Sequence, residues 1–236
     1  YELLTGKLPE KTYVPASQIE DVDPRFDKIV RRATHPSPML RFADGDAMAK
    51  DIKALSEAPI LSSLDLSGNW LGDELASRVG RLMRRSPQLR GLRLRWNSFG
   101  DAGARLIAQG LPFCPQLSEL DLGGNWIKAA GVGHIASRLM RHRGLQHVRL
   151  DHNGIDSNGF KDLANALAGN TSVVSLDLGA NEIDDQGAQE LARVLAAPSA
   201  LERVSLRLNE RVTDAGAAVL AAAISTNARL YHLDLG

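Results

Sequence analysis

The chain has 236 residues, and its 28 Lys+Arg balance 28 Asp+Glu to a formal net charge of zero. Such a chain is a poor electrostatic match for nucleic acid or an anionic membrane. Its one cysteine, Cys114, excludes a disulfide framework and any zinc site that needs two Cys ligands. No apolar run approaches the roughly 20 residues of a membrane span, so the expected location is cytoplasmic.

Residues 1–38 do not repeat and hold five of the ten prolines, Pro9, Pro15, Pro24, Pro36 and Pro38. That density predicts an extended N-terminal arm with one short helix over 23–32. Residues 39–60 place Met48, Ala49, Ile52 and Leu55 at helical spacing. They read as an N-terminal capping half-repeat, because terminal repeats are usually atypical.

From Leu61 the chain falls into rows: LSSLDLSGNWL, then LRGLRLRWNSF from Leu89, LSELDLGGNWI from Leu117 and LQHVRLDHNGI from Leu145. VVSLDLGANEI follows from Val173 and LERVSLRLNER from Leu201, and LYHLDLG opens a seventh row at Leu230. Row starts are 28 residues apart five times and 29 once. Apolar pairs such as Leu64/Leu66, Leu92/Leu94 and Leu120/Leu122 alternate with period two, which predicts a short strand with one buried face. The Asn at Asn69, Asn97, Asn125, Asn153, Asn181 and Asn209 can bond backbone where the chain leaves each strand. Stacked rows would make these an internal ladder.

The second half of each row is helical, with apolar pairs at spacing four: Ile107/Leu111, Ile135/Leu139, Leu163/Leu167, Leu191/Leu195 and Leu220/Ile224. A glycine precedes each of these pairs: Gly103, Gly131, Gly159, Gly187 and Gly216. Small residues at Ala108, Ala136, Ala164 and Ala192 let each helix lie close to its strand. One strand–helix unit cannot bury its own apolar face, so stacking must supply the core. The seventh row stops inside a strand, which predicts that the native chain continues. It also leaves a pairing edge at Leu230, so a monomer or weak self-association through that edge is expected.

These six rows over 61–236 resemble the ribonuclease-inhibitor class of leucine-rich repeats. The resemblance implies an α/β leucine-rich-repeat solenoid, a curved horseshoe with a parallel sheet on the concave face and helices on the convex face. Ribonuclease inhibitor itself is cysteine-rich and alternates two row types. This chain has one Cys and nearly uniform rows, so ribonuclease inhibition is not carried over.

No nucleophile motif, phosphate-binding loop or metal-binding helix pattern is present. The expectation is a chain with no catalytic residues, no metal and no cofactor. Of the six histidines, His147 and His152 share one row, but their spacing of five is not a metal-ligand signature. Cys114 reads as a free structural thiol.

Binding information lies at the variable positions of the rows. One solvent-facing column reads Asp65, Arg93, Asp121, Arg149, Asp177, Ser205, Asp234, so charges should alternate along the sheet. The next reads Ser67, Arg95, Gly123, Asp151, Gly179, Arg207, and the one after it Gly68, Trp96, Gly124, His152, Ala180, Leu208. Trp70 and Trp126 directly follow their ladder Asn. All three tryptophans thus fall at one edge of the sheet. Trp and Arg are enriched at binding hot spots. The expected partner-binding set is Trp70, Trp96, Trp126, Arg93, Arg95, Asp121, Arg149, Asp151 and His152.

The zero net charge is a cancellation. Residues 61–144 carry twelve Lys+Arg against six Asp+Glu, and residues 145–236 carry seven against twelve. The leading expectation is a non-enzymatic module that binds a protein partner through the concave sheet and its tryptophan edge. The alternative is the recognition domain of a larger enzyme or bacterial effector whose catalytic part lies elsewhere. Nucleic-acid binding by the basic half is disfavoured by Asp65 and Asp121 within it.

Overall fold

The computed structural model describes residues 61–236. The arm at 1–38, its helix at 23–32 and the capping half-repeat at 39–60 lie outside the described residues. Each row opens with a three-residue strand: β1 Ser63–Asp65, β2 Gly91–Arg93, β3 Glu119–Asp121, β4 His147–Arg149, β5 Ser175–Asp177, β6 Arg203–Ser205 and β7 His232–Asp234. They form one parallel sheet in chain order. The register follows the rows, with Leu64, Leu92, Leu120, Val148, Leu176, Val204 and Leu233 side by side.

The helices are α1 Gly72–Arg85, α2 Asp101–Ala108, α3 Ala129–Leu139, α4 Ser157–Ala168, α5 Asp185–Ala196 and α6 Asp214–Ile224. Each packs on the next, as each strand does. The core is the layer between helices and sheet, where the row leucines are buried together with Phe99, Ile127, Ile155 and Ile183. Full burial of one such side chain contributes about 1.5–3 kcal/mol, and the row period delivers it again at every turn of the solenoid.

Helix α2 is shorter than the Ile107/Leu111 spacing predicts. It ends at Ala108, and Leu111–Phe113 forms a 3-10 turn. Gly110 precedes that turn and Pro112 lies inside it, and both resist a continuing α-helix. Leu111 is still buried, so the apolar spacing predicts the contact correctly and the helix end wrongly.

Three polar ladders tie the rows together. The first is the predicted asparagine ladder. Asn97 Nδ2 donates to the Leu66 carbonyl of the row before at 2.8 Å, and its Oδ1 accepts from the Asn69 backbone N–H at 3.0 Å. Asn125 repeats the pattern on Leu94, Asn97 and Phe99.

The second ladder crosses the helix starts. Asp73 Oδ1 accepts from the N–H groups of Gly100 and Gly103 at the next helix, at 2.7 and 3.0 Å. Asp101 does the same for Lys128 and Gly131, and Asp185 for Thr213 and Gly216. Each first-turn carboxylate therefore caps the following helix, where the helix dipole favours an anion. This accounts for Gly103, Gly131 and Gly216 of the glycine column. A Cβ at Gly131 would lie 2.5 Å from Asp101 Oδ1, and one at Gly216 2.4 Å from Asp185 Oδ1. Row three has Ala129 in place of the carboxylate, and the helix that follows it, α4, is capped by its own Asp156.

The third ladder crosses the helix ends. Asn170 Nδ2 donates to Leu139 O at 2.7 Å, while its Oδ1 accepts from Ser172 and Val173 N–H. His142 fills the same place one row earlier. Its Nδ1 accepts from Gly144 and Leu145 N–H at 3.2 and 3.1 Å, and its Nε2–H faces Cys114 O at 3.0 Å. That pattern requires the neutral ring, and burial holds the His142 pKa down. Cys114 is buried, donates to Met83 O at 3.2 Å, and has its thiol pushed up to about 12 by burial. It is a structural thiol, as the sequence predicts, with no thiolate available for chemistry.

Candidate recognition face

The register places Asp65, Arg93, Asp121, Arg149, Asp177, Ser205 and Asp234 side by side, so charge alternates along the sheet up to Ser205. The aspartates do not simply face solvent. Asp65, Asp121, Asp177 and Asp234 each accept from the backbone N–H two residues on, at 2.9, 2.9, 3.0 and 3.1 Å. This Asx-type bond closes the end of each of these four strands. Asp121 is 5% exposed as a result. At Asp177, burial pushes the carboxyl pKa up and the nearby Asp151 charge adds to the shift.

The arginines find a different partner. Glu119 Oε2 holds Arg93 Nη2 at 2.5 Å, and Glu119 Oε1 holds Arg149 Nη1 at 2.7 Å. Asp121 stands farther from Arg95 and Arg149, at 3.6 and 3.5 Å. Burial alone would raise the Glu119 carboxyl, but the two guanidiniums outweigh it and hold it below the usual range. Glu119 is absent from the sequence-derived set. The signal was there: it is the one acid in the column Ser63, Gly91, Glu119, His147, Ser175, Arg203, His232.

A second cluster spans three rows. Arg95 passes over Gly123 and pairs with both oxygens of Asp151, two rows away; Nη1 to Oδ1 is 2.7 Å. A Cβ at Gly123 would fall 2.2 Å from Arg95 Nη1, so only glycine leaves this path open. Beside it, Trp96 lies over Gly124, where a Cβ would fall 2.3 Å from indole Cδ2. The far side of the indole meets His152, with ring centroids 5.5 Å apart at a tilt of 58°. Arg95 Cζ is 5.4 Å from the Trp96 ring centroid, and His152 Nδ1 is 2.8 Å from Asp151 Oδ2. The pair Gly123–Gly124 is thus a notch through which Arg95–Trp96 of row two reaches Asp151–His152 of row four. Burial would raise the Asp151 carboxyl, but bonds from Arg95 and His152 hold it low. Asp151 is 5% exposed.

The three tryptophans stay in solvent. Trp70 is 80% exposed, Trp96 51% and Trp126 68%. The column of Gly68, Trp96, Gly124, His152, Ala180 and Leu208 is also left-handed throughout, with φ between 51° and 72°. Trp70 joins it at φ 54°. This region is costly for any residue with a Cβ, by about 1–2 kcal/mol. Trp70 and Trp96 hold it while exposed, where their burial returns little. Among the sequence-derived residues, Arg95, Trp96, Asp151 and His152 form one cluster, and Arg93, Arg149 and Asp121 gather around Glu119. Trp70 and Trp126 stand in neither.

Among the described residues no group of three or more His, Cys, Asp or Glu is placed to hold a metal ion. No described helix is long and apolar enough to cross a membrane.

A family model described as leucine-rich repeat matches residues 59–74, 86–108, 113–136 and 169–192. The strand register carries the same pattern through the rows between and after these matches. No curated protein matches in a sequence search. Among solved structures, leiomodin-1 actin-binding site 2 is similar in fold. Its TM-score is 0.52 at 16% identity, over 57% of this chain and 78% of that one.

Proposed function

Starting from a chain that is a leucine-rich-repeat solenoid, we propose a non-enzymatic protein-recognition module whose partner meets the open sheet face and the edge formed by Trp70, Trp96 and Trp126. The observation that carries this reading is the exposure of all three tryptophans, two of them in a left-handed backbone. Strained and exposed large residues concentrate where strain serves function, and tryptophan is a preferred anchor at interfaces. The sheet-face arginines support the reading as well. Glu119 and Asp151 fix their positions in advance, so less side-chain entropy is lost on binding. Arg149 and His152 keep 44% and 46% of their side-chain surface open for contact with a partner. The actin-binding site of leiomodin-1 gives a precedent for protein binding on this fold, without naming the partner of this chain.

The test is capture of the partner by wild type and by Trp96→Ala. Loss of an anchoring tryptophan costs about 2 kcal/mol or more of binding, so capture falls at least about tenfold, with the melting temperature held. Unchanged capture with an unchanged melting temperature removes Trp96 from the interface.

A further inference from the structure

A cavity of about 450 Å³ lies away from the sheet face, between the 3-10 turn that follows α2 and the end of α3. Its size is within the range of small-ligand and side-chain pockets, about 300–1,000 Å³. Leu111, Pro112 and Pro115 form one wall, and Arg138, Arg141 and Arg143 stand on the other. Buried His142 contributes to the lining and is held neutral, so it adds no charge.

The three arginines are exposed, and their guanidiniums have no ion-pair partner among the described residues. Acids are absent from the chain around them: none occurs between Asp101 and Glu119, or between Asp121 and Asp151. Cations near a helix C-terminus have a plain role, since that end carries about half a negative charge. Three guanidiniums exceed that demand. Nor does the repeat require them. In the next two rows the places of Arg138, Arg141 and Arg143 are taken by Ala166, Gly169 and Thr171, then by Val194, Ala197 and Ser199. The corresponding hollow farther along, lined by Thr171, Pro198, Ser199, Ala200 and Arg229, is smaller at about 290 Å³ and has a single arginine. The basic rim is therefore particular to this site.

We propose that this cavity is a second docking site, for an acidic peptide segment of a protein partner. An apolar side chain of the segment seats against Pro112 and Pro115, which are exposed over buried Leu111. Its flanking carboxylates meet Arg138, Arg141 and Arg143, which suit planar anions. The site is separate from the tryptophan edge, so it stands whether or not that edge binds.

The experiment is a fluorescence-anisotropy titration of the full chain with three short labelled peptides. One carries a phenylalanine flanked by glutamates. The second replaces the glutamates by glutamines, and the third replaces the phenylalanine by alanine. The first binds saturably and weakens with salt; the other two bind at least about fivefold more weakly. The triple variant Arg138→Gln/Arg141→Gln/Arg143→Gln loses about tenfold, the scale of a few exposed ion pairs. Trp96→Ala binds the peptide like wild type. All four positions are exposed, and circular dichroism and melting confirm that both variants fold. Equal binding of the glutamine peptide, unchanged binding by the triple variant, or no saturable binding up to about 1 mM would each overturn the assignment. So would tighter, arginine-dependent binding of a single-stranded oligonucleotide, which would make the site one for nucleic acid.

Discussion

Arg95 and Asp151 belong to rows two and four, yet they form a two-point ion pair on the sheet face, through the space left by Gly123. Both oxygens of the carboxylate are engaged, and Trp96 and His152 lie alongside the pair. The position of the central tryptophan therefore depends on a bond that skips a repeat.

That dependence is measurable. Arg95→Met leaves Asp151 in its nearly closed site without a cation and destabilises the fold by about 1.5–3 kcal/mol, the scale of charge-assisted hydrogen bonds. Arg95→Met with Asp151→Asn is less destabilised than the sum of the two single changes. Urea denaturation of the four proteins gives the coupling. The Asp151 carboxyl is held low in the fold, so its contribution is present above the unfolded pKa of about 3.9 and is lost as pH falls through the folded value. The coupling should fade below about pH 4 and hold above it.

His142 predicts a second acid dependence at milder pH. Its folded pKa lies below the ordinary value of 6.5, so between the two values the unfolded chain binds a proton that the folded chain refuses. Stability is present above pH 6.5 and falls as pH drops toward the folded value. Asn170 makes the same bonds in the next row with a group that does not titrate. His142→Asn should keep the ladder and flatten the stability profile below about pH 6.5. Thermal melting across that range checks it.

Trp70 predicts a trade between stability and binding. Its φ is 54° and it is 80% exposed, so Trp70→Asn, which tolerates the left-handed region, leaves stability equal or raises it by about 0.5–1 kcal/mol. The same change weakens partner capture. A fall in stability beyond about 1 kcal/mol would mean the indole is structural.

The capping relay between helices should cost its ordinary amount when cut. Asp101→Ala removes an acceptor from Lys128 and Gly131 N–H, both at 2.8 Å. The expected loss is about 1 kcal/mol. Gly131→Ala costs more, since the added Cβ meets Ile127 and Asp101 below 3 Å. A midpoint in urea for Gly131→Ala equal to wild type would contradict the close helix approach.

What the sequence disclosed and what it hid divide along a physical line. Features that recur in every row were legible. The buried leucines, the asparagine ladder and the parallel register depend only on neighbours one period away, and Asn97 or Leu92 announces its role by recurring. Features that depend on reach or on one row's exception were not. Arg95 meets Asp151 rather than Asp121 because Gly123 clears the way, a three-dimensional fact that no column shows. Asp121 reads as a surface charge until its bond to Gly123 N–H turns it inward. The left-handed backbone at Trp96 is foreshadowed by Gly68 and Gly124 in the same column. His142 carries no sequence signal because the helix-end ladder uses Ser86, Cys114, His142, Asn170 and Asn227 at one place, and such unlike residues do not read as a repeat.

The central claim is that the partner lies on the tryptophan edge. Site-specific photo-crosslinking tests it most directly, with the photoreactive residue at Ser98 beside Trp96, and at Lys161 on α4 as the comparison. The account predicts partner adducts from position 98, lost when Trp70, Trp96 and Trp126 are changed to alanine, and none from position 161. Adducts from position 161 alone, or from position 98 undiminished in the triple alanine variant, would contradict it.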